Sequence, residues 1–229
     1  MYLIDGKPLL RRVWERCLKA RHLDFVIIAT DDMRVAVAAF DWGAEVALTS
    51  PRHRSGTDRV AEVAKRARQF AYVINIQGDE PLVEPRLINK LVEKLRSDRK
   101  IDMVTAAHPF ASPAEASSPH QVKVVVDCNG CALYFSRARV PYTTNKHPPL
   151  FLRHQGIYAF RRNALLQFVK WKTTPLERTE SLEQLRALEN GVKVHVLVTA
   201  QGSPGIDTPQ DARTLELKLA LQKRRRSVL

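Results

Sequence analysis

Only three cysteines occur in 229 residues, too few for the disulfide framework of a small secreted domain. Two of them, Cys128 and Cys131, form a lone Cys-x-x-Cys around Asn129-Gly130. A structural zinc site needs four ligands, and neither a second cysteine pair nor a suitably spaced histidine pair accompanies this one. Asn-Gly between two β-rich runs is instead a hairpin signal, so the two thiols are expected to flank a turn. Long apolar runs are also missing. None reaches the ~18 residues of a membrane-crossing helix, and residues 1–7 lack the apolar stretch of a secretory signal. The expected location is the cytoplasm, without membrane insertion. Repeats and low-complexity segments are absent as well.

Acidic residues are in deficit: 24 Asp+Glu against 37 Lys+Arg, for a formal net charge of +13. Such an excess fits an anionic ligand or a nucleic acid. The basic residues are spread along the chain, however, and the one dense run, Lys223-Arg224-Arg225-Arg226, reads as a solvated tail. No segment interleaves aromatic with basic residues in the manner of nucleic-acid binders. An anionic small molecule is therefore the expected partner, and nucleic acid is not.

Apolar residues make up 45% and charged residues 27% of the chain, an ordinary balance for a globular protein long enough to build one sizeable core. The first third alternates two signals. Apolar residues at helical spacing over 9–20 (Leu10, Val13, Trp14, Cys17) are followed by a continuous apolar run at 25–29, the pattern of a strand buried on both faces. A helix at 32–40, a strand at 45–49, a polar loop at 50–57, a helix at 58–69, a strand at 71–76 and a helix at 84–97 continue the series. Strands alternating with helices imply an α/β fold of Rossmann-like type, with a mostly parallel sheet and right-handed crossovers.

After Asp102 the character changes. Strands are expected at 103–108, 122–127, 131–136 and 151–160, with the Asn-Gly hairpin joining the second and third and a Pro-rich loop at 139–150. Helices follow at 162–170 and 180–189, then a strand at 192–198 and a last helix at 209–223. This reads as one domain over 1–229. Residues 1–100 form a first α/β part, 101–190 a mixed α/β insertion, and 191–229 a return strand with the C-terminal helix.

Open α/β sheets bind ligands beyond the carboxyl ends of their strands. Two strands end there in carboxylates: 71–76 runs into Gln77-Gly78-Asp79-Glu80, and 192–198 is followed by Gly205-Ile206-Asp207-Thr208. Magnesium takes carboxylate, phosphate and water oxygens, usually with only one or two protein carboxylates. Asp79 and Asp207 would suit a magnesium-bound nucleotide. On spacing alone, Asp79 reads rather as a turn residue and Asp207 as a cap ahead of Pro209 at the first position of a helix.

At this point the residues resemble a family. Asn75-Ile76-Gln77-Gly78-Asp79-Glu80-Pro81 is similar to the signature of the CMP-KDO synthetases, the 3-deoxy-manno-octulosonate cytidylyltransferases. The likeness continues at His53-Arg54-Ser55-Gly56-Thr57-Asp58-Arg59 and at Ala132-Leu133-Tyr134-Phe135-Ser136-Arg137. It extends through Leu152-Arg153-His154-Gln155-Gly156-Ile157-Tyr158, Leu182-Glu183-Gln184-Leu185-Arg186 and Gly205-Ile206-Asp207-Thr208-Pro209. Six blocks in family order span nearly the whole chain.

The resemblance implies a nucleotidyltransferase that moves CMP from CTP to KDO, releasing pyrophosphate, as a step toward lipopolysaccharide. Attack would come from the anomeric hydroxyl of KDO on the α-phosphorus, in line, with catalysis mostly by positioning and charge neutralisation. It assigns Asp79 and Asp207 to Mg2+, and Ser55, Gly56, Thr57, Arg59 and Gln77 to CTP. KDO, an acidic polyol, would be met by Arg137 or Arg153, with His154, Tyr158, Glu183 and Gln184; a guanidinium fork suits its carboxylate. His154 and Tyr158 share a sheet face if their segment is a strand. Glu183 and Gln184 point apart on a helix, so both reach the sugar only at a helix end. The family also implies a homodimer formed through the second-half insertion.

One family segment has no counterpart here: the first strand and its Arg-, Ser- and Lys-bearing phosphate loop. Gly6-Lys7-Pro8-Leu9 imitates the end of that loop, but the helix that follows aligns it with a later Gly-Lys-Pro, so Lys7 is not expected to be the phosphate lysine. The expectation is a mis-started or truncated form of an active enzyme, with weak or no CTP turnover if the chain begins at Met1. The other readings are a synthetase for a related acidic sugar, an inactive paralogue with a binding role, and a basic nucleic-acid binder.

Overall fold

The computed structural model describes residues 2–144, 150–203, 205–206 and 209–226, with backbone only at 209, 218 and 221–226. The chain forms two compact units, each built from separate stretches. The first comprises Met1–Arg52, Gln77–Asn89 and Ser203–Leu229; the second comprises His53–Ile76 and Lys90–Gly202. Residues 101–190, read from the sequence as an insertion, thus share a unit with 53–76, 90–100 and 191–202.

The first unit opens with a hairpin of β1 (Leu3–Ile4) and β2 (Lys7–Pro8), joined through Asp5-Gly6, both at positive φ. No expectation had been placed on this hairpin; Asp-Gly is a strong turn pair, but the two strands are very short. Helix α1 (Leu9–Cys17) follows and buries Val13 and Cys17. Its Arg12 closes back on the hairpin, donating Nε and Nη2 to the Ile4 carbonyl at 3.1 and 2.5 Å. Lys7 pairs with Glu15 at 2.7 Å. Strand β3 (Ile27–Thr30), helix α2 (Met33–Asp41) and parallel strand β4 (Glu45–Leu48) form a β–α–β crossover unit. Asp32 caps α2 by accepting the Arg34 N–H at 2.8 Å, and Gly43 at φ 82 turns the chain out of it, as only glycine does cheaply. Ile28, Ala39 and Ala44 make a small core with Leu10, Trp14, Trp42 and Val46. A second cluster joins Ile4 to Ala212 and Leu215 of α8 (Pro209–Arg226).

The second unit holds the larger core and a six-stranded sheet. Its members are β5 (Tyr72–Asn75), β6 (Met103–Pro109), β7 (Lys123–Val126), β8 (Ala132–Ser136), β9 (Leu152–Arg161) and β10 (Val194–Val198). The long β9 organises it: β6 runs antiparallel along one edge, while β7 and β5 pair antiparallel with its two ends. Among the described residues, parallel pairing is confined to β6–β10 here and β3–β4 in the first unit. The α/β class is as the sequence implies, but the larger sheet is mixed rather than mostly parallel. The reason is that β9 enters between neighbours running the other way.

Helices α3 (Gly56–Arg66) and α5 (Arg162–Phe168) pack on this sheet, and Leu91, Val92 and Leu95 in the 90–97 part of α4 (Pro85–Ser97) are nearly inaccessible. Helix α3 begins two residues earlier than the 58–69 reading, because Ser55 caps it by accepting the Asp58 N–H at 3.2 Å. The helix expected at 180–189 is two: α6 (Pro175–Glu180) and α7 (Leu185–Glu189), broken where Ser181 turns left-handed at φ 52. The Asn129-Gly130 hairpin between β7 and β8 is present, with Gly130 at φ 76 and Asp127 Oδ1 accepting from the N–H groups of Asn129 and Cys131. Cys128 and Cys131 flank it as free thiols. Among the described residues, no helix is long and apolar enough to cross a membrane.

Candidate active site

In the first unit the acidic turn closes on itself, the Glu80 N–H donating to the Gln77 carbonyl at 3.3 Å. The segment ahead of α8 is fastened to it. Ile206 N–H donates to the Asp79 carbonyl at 2.9 Å, and the Ser203 hydroxyl donates to Glu80 Oε2 at 2.8 Å. Gly205 lies against the same place, where an added Cβ would sit 3.4 Å from Glu80 Oε1. Asp207, the next residue in sequence, lies outside the described residues. The turn offers hard carboxylate oxygens of the kind magnesium takes, so its chemistry fits that ion. Among the described residues no three of His, Cys, Asp or Glu converge as a ligand set.

The second unit gathers a polar network on β5, β9 and β6. Asn75, Tyr158 and Thr105 stand abreast: Asn75 pairs with Tyr158 across β5–β9, and Thr105 with Tyr158 across β6–β9. From the first turn of α3, the Thr57 hydroxyl donates to Glu183 Oε2 at 2.5 Å, and Asn75 Nδ2 donates to Thr57 Oγ1 at 3.3 Å. Arg186, buried and bidentate on the buried Glu177, also lies 3.5 Å from Glu183 Oε1. Burial raises the Tyr158 phenol pKa, and the nearby Glu183 charge raises it further, so the phenol stays a donor.

His154 stacks edge-on to Phe135 and tilts against Tyr158, with ring centroids 5.0 and 5.4 Å away. Residues four apart on a regular strand lie about 13 Å apart. The rings meet because β9 bulges: Thr105 pairs with Tyr158 but Ala106 with Gln155, so Gly156 and Ile157 have no counterpart on β6. Two extra residues preserve the face while shortening the separation. His154 Nε2 reaches the fully buried Thr105 hydroxyl at 2.9 Å. Burial pushes its pKa down to about 3, so the ring is neutral near neutral pH.

Of the residues expected at the sugar, the structure therefore brings His154, Tyr158 and Glu183 together. Glu183 and Gln184 both precede α7, with Gln184 as its buried N-cap, which gives the helix-end placement their side chains require. Arg153 neighbours His154 along β9 and so faces the other side of the sheet. There its charge adds to burial in lowering the His108 pKa. Arg137 is anchored to backbone on the same sheet's edge loop. Its Nε donates to the Glu180 carbonyl at 2.8 Å, and its Nη atoms to the carbonyls of Pro119 and Ser181 at 3.2 and 3.5 Å. Three of its five N–H groups are thus engaged by backbone carbonyls. Among the residues expected at CTP, Ser55 caps α3, Gly56 opens it, Thr57 bonds Glu183, and Arg59 follows on the same helix. Gln77 belongs to the acidic turn of the first unit. Thr105 and Asn75 were not singled out as site residues; a lone hydroxyl inside the apolar run at 103–107 is the one sequence signal that marks Thr105.

A cytidylyltransferase family model matches residues 1–194. The chain is 44% identical over 224 residues to a 3-deoxy-manno-octulosonate cytidylyltransferase of Syntrophobacter fumaroxidans, covering 95% of this chain and 90% of that one. It belongs to the 3-deoxy-manno-octulosonate cytidylyltransferase family. The Geobacter metallireducens member is 43% identical over 228 residues, with 95% of this chain and 89% of the relative covered. Among solved structures, a CMP:2-keto-3-deoxy-manno-octonic acid synthetase complexed with CTP superposes with a TM-score of 0.92 at 38% identity, covering 96% of this chain and 91% of that one. A 4-diphosphocytidyl-2C-methyl-D-erythritol synthase from Anaerococcus prevotii, 17% identical with a TM-score of 0.64 over 95% of this chain and 88% of that one, shares the fold. In this cytidylyltransferase the six blocks noted in sequence thus divide between the two units: the acidic turn with the segment before α8, and the network around Thr57, His154, Tyr158 and Glu183.

Proposed function

We propose that this chain transfers CMP from CTP to KDO, forming CMP-KDO and pyrophosphate in lipopolysaccharide synthesis. The anomeric hydroxyl of KDO forms the new P–O bond at the α-phosphorus of CTP, the bond to pyrophosphate breaks, and the hydroxyl proton is released. The observation that carries the reading is identity above 40% along nearly the whole chain, in company with a network chemically suited to a polyol. Glu183 accepts from sugar hydroxyls, the Tyr158 phenol donates, and neutral His154 supplies one further contact. The carbonyl tie from Asp79 to Ile206 supports Asp79 and Asp207 as the pair that holds Mg2+. That ion, when bound, offsets the charge of the triphosphate. The first turn of α3, with Ser55, Gly56, Thr57 and Arg59, and Gln77 serve CTP.

The activity belongs in the cytoplasm, where CTP is available. A homodimer through the second-half segment is supported by the exposed Leu133, Tyr142 and Leu150 on and after β8, residues 61%, 91% and 66% accessible. Labelled CTP offered with KDO, an amino-KDO and a sialic acid tests the assignment. CMP transfer to KDO in preference to the others is expected, and preference for either of the others would replace the sugar.

A further inference from the structure

The contact between Thr105 and His154 has only one consistent proton arrangement. Thr105 Oγ1 lies 2.8 Å from the Ile157 carbonyl, 3.2 Å from the Gln155 carbonyl and 2.9 Å from His154 Nε2. A hydroxyl carries one proton and accepts through its lone pairs, whereas carbonyls only accept. If that proton went to His154, two buried carbonyl oxygens would face the hydroxyl oxygen with no hydrogen between them. Given to the Ile157 carbonyl, with Gln155 sharing it at longer range, it leaves Oγ1 free to accept from an Nε2–H. The hydroxyl, both carbonyls and Nε2 then each have a partner.

We propose that Thr105 is a positioning residue of the sugar site: it fixes His154 as the Nε2–H tautomer, presenting Nδ1 as a hydrogen-bond acceptor to a substrate hydroxyl. The β9 bulge is what makes this possible, because it brings two carbonyls and an imidazole from one strand within reach of a single hydroxyl on β6. The fully buried position of Thr105 keeps water from substituting for it. Burial also holds the imidazole neutral, so the tautomer rather than the charge is what a ligand reads. A pocket with Glu183 as acceptor, Tyr158 as donor and Nδ1 as second acceptor discriminates sugars by the direction of their hydroxyls.

The inference rests on the reading of His154 as a sugar contact, and the test separates the two. In the full chain labelled with 15N-histidine, the His154 resonances are identified by their loss in H154Q. A pyrrole-type signal at Nε2 and a pyridine-type signal at Nδ1 are expected. T105V, which keeps the shape and removes the hydroxyl, should populate the other tautomer and raise KM for KDO about tenfold, the cost of one misdirected hydrogen bond. KM for CTP should not move. T105S, which restores the hydroxyl, should restore both the spectrum and KM. An Nδ1–H tautomer in the unaltered chain, or T105V that leaves the tautomer in place, overturns the proposal whatever the substrate. The expected tautomer with KM for KDO unchanged in H154Q overturns instead the sugar-contact reading, and with it the use of Nδ1.

Discussion

Thr57 Oγ1 donates to Glu183 Oε2 across 2.5 Å, joining residues 126 positions apart in sequence. Thr57 sits in the first turn of α3, among the residues assigned to CTP, and Glu183 precedes α7, among those assigned to KDO. A hydrogen bond to a carboxylate contributes about 1.5–3 kcal/mol. T57V should therefore lower unfolding free energy by about 2 kcal/mol in denaturant titrations, and raise KM for KDO because Glu183 loses its orienting partner. T57S should recover most of both.

Replacing Asp79 by Asn removes one negative oxygen from the acidic turn while keeping its shape. Loss of several kcal/mol of charge stabilisation corresponds to a fall in kcat of about a thousandfold. The magnesium concentration giving half-maximal rate should rise in D79N. Pyrophosphate release measured across a magnesium titration checks both, and chelation should abolish turnover of the unaltered chain.

The neutral burial of His154 gives a pH signature with a definite sign. Its folded pKa is about 3, below the ordinary value of about 6.5, so between those limits the unfolded chain binds the extra proton. The stability tied to this group is fully present above about pH 6.5 and is lost as pH falls toward 3. Denaturant unfolding from pH 7.5 to 4.5 should show a shallower acid loss in H154Q than in the unaltered chain. Parallel curves would contradict the buried neutral ring.

Arg137 ties the corner at Glu180 and Ser181 through three backbone carbonyls. Glu180 accepts from the Ser136 hydroxyl at 2.6 Å and from Arg137 N–H at 2.8 Å, and the fully buried Lys123 ammonium reaches the Arg137 carbonyl and those of Ser118 and Gln121. Lysine cannot reproduce the guanidinium fork. R137K should cost about 1–2 kcal/mol of stability, while KM for KDO and KM for CTP shift together. A selective rise in KM for KDO would restore Arg137 to the sugar carboxylate.

Much of this was legible from periodicity. The helices at α1, α2, α4 and α5 and the strands from β3 through β10 lie within a few residues of their sequence-based positions, because each carries a local apolar pattern or a local cap. The Asp127–Cys131 hairpin followed from Asn129-Gly130 alone. What escaped was set by tertiary bonds. The left-handed break at Ser181 is held by Arg137 and Glu180, more than forty positions apart in sequence. The β9 bulge depends on Thr105 meeting carbonyls of a strand some fifty residues later. The sheet's antiparallel character turned on where β9 inserts, which no local pattern encodes. The site residues were named through family likeness; which of them face one another came only from the fold.

The central claim is tested most directly by pyrophosphate release from CTP in the presence of magnesium, with and without KDO, and with mass analysis of the sugar product. The account predicts release that depends on KDO and matches CMP-KDO formation one for one. CTP breakdown indifferent to KDO, or release without a CMP-KDO product, would contradict it.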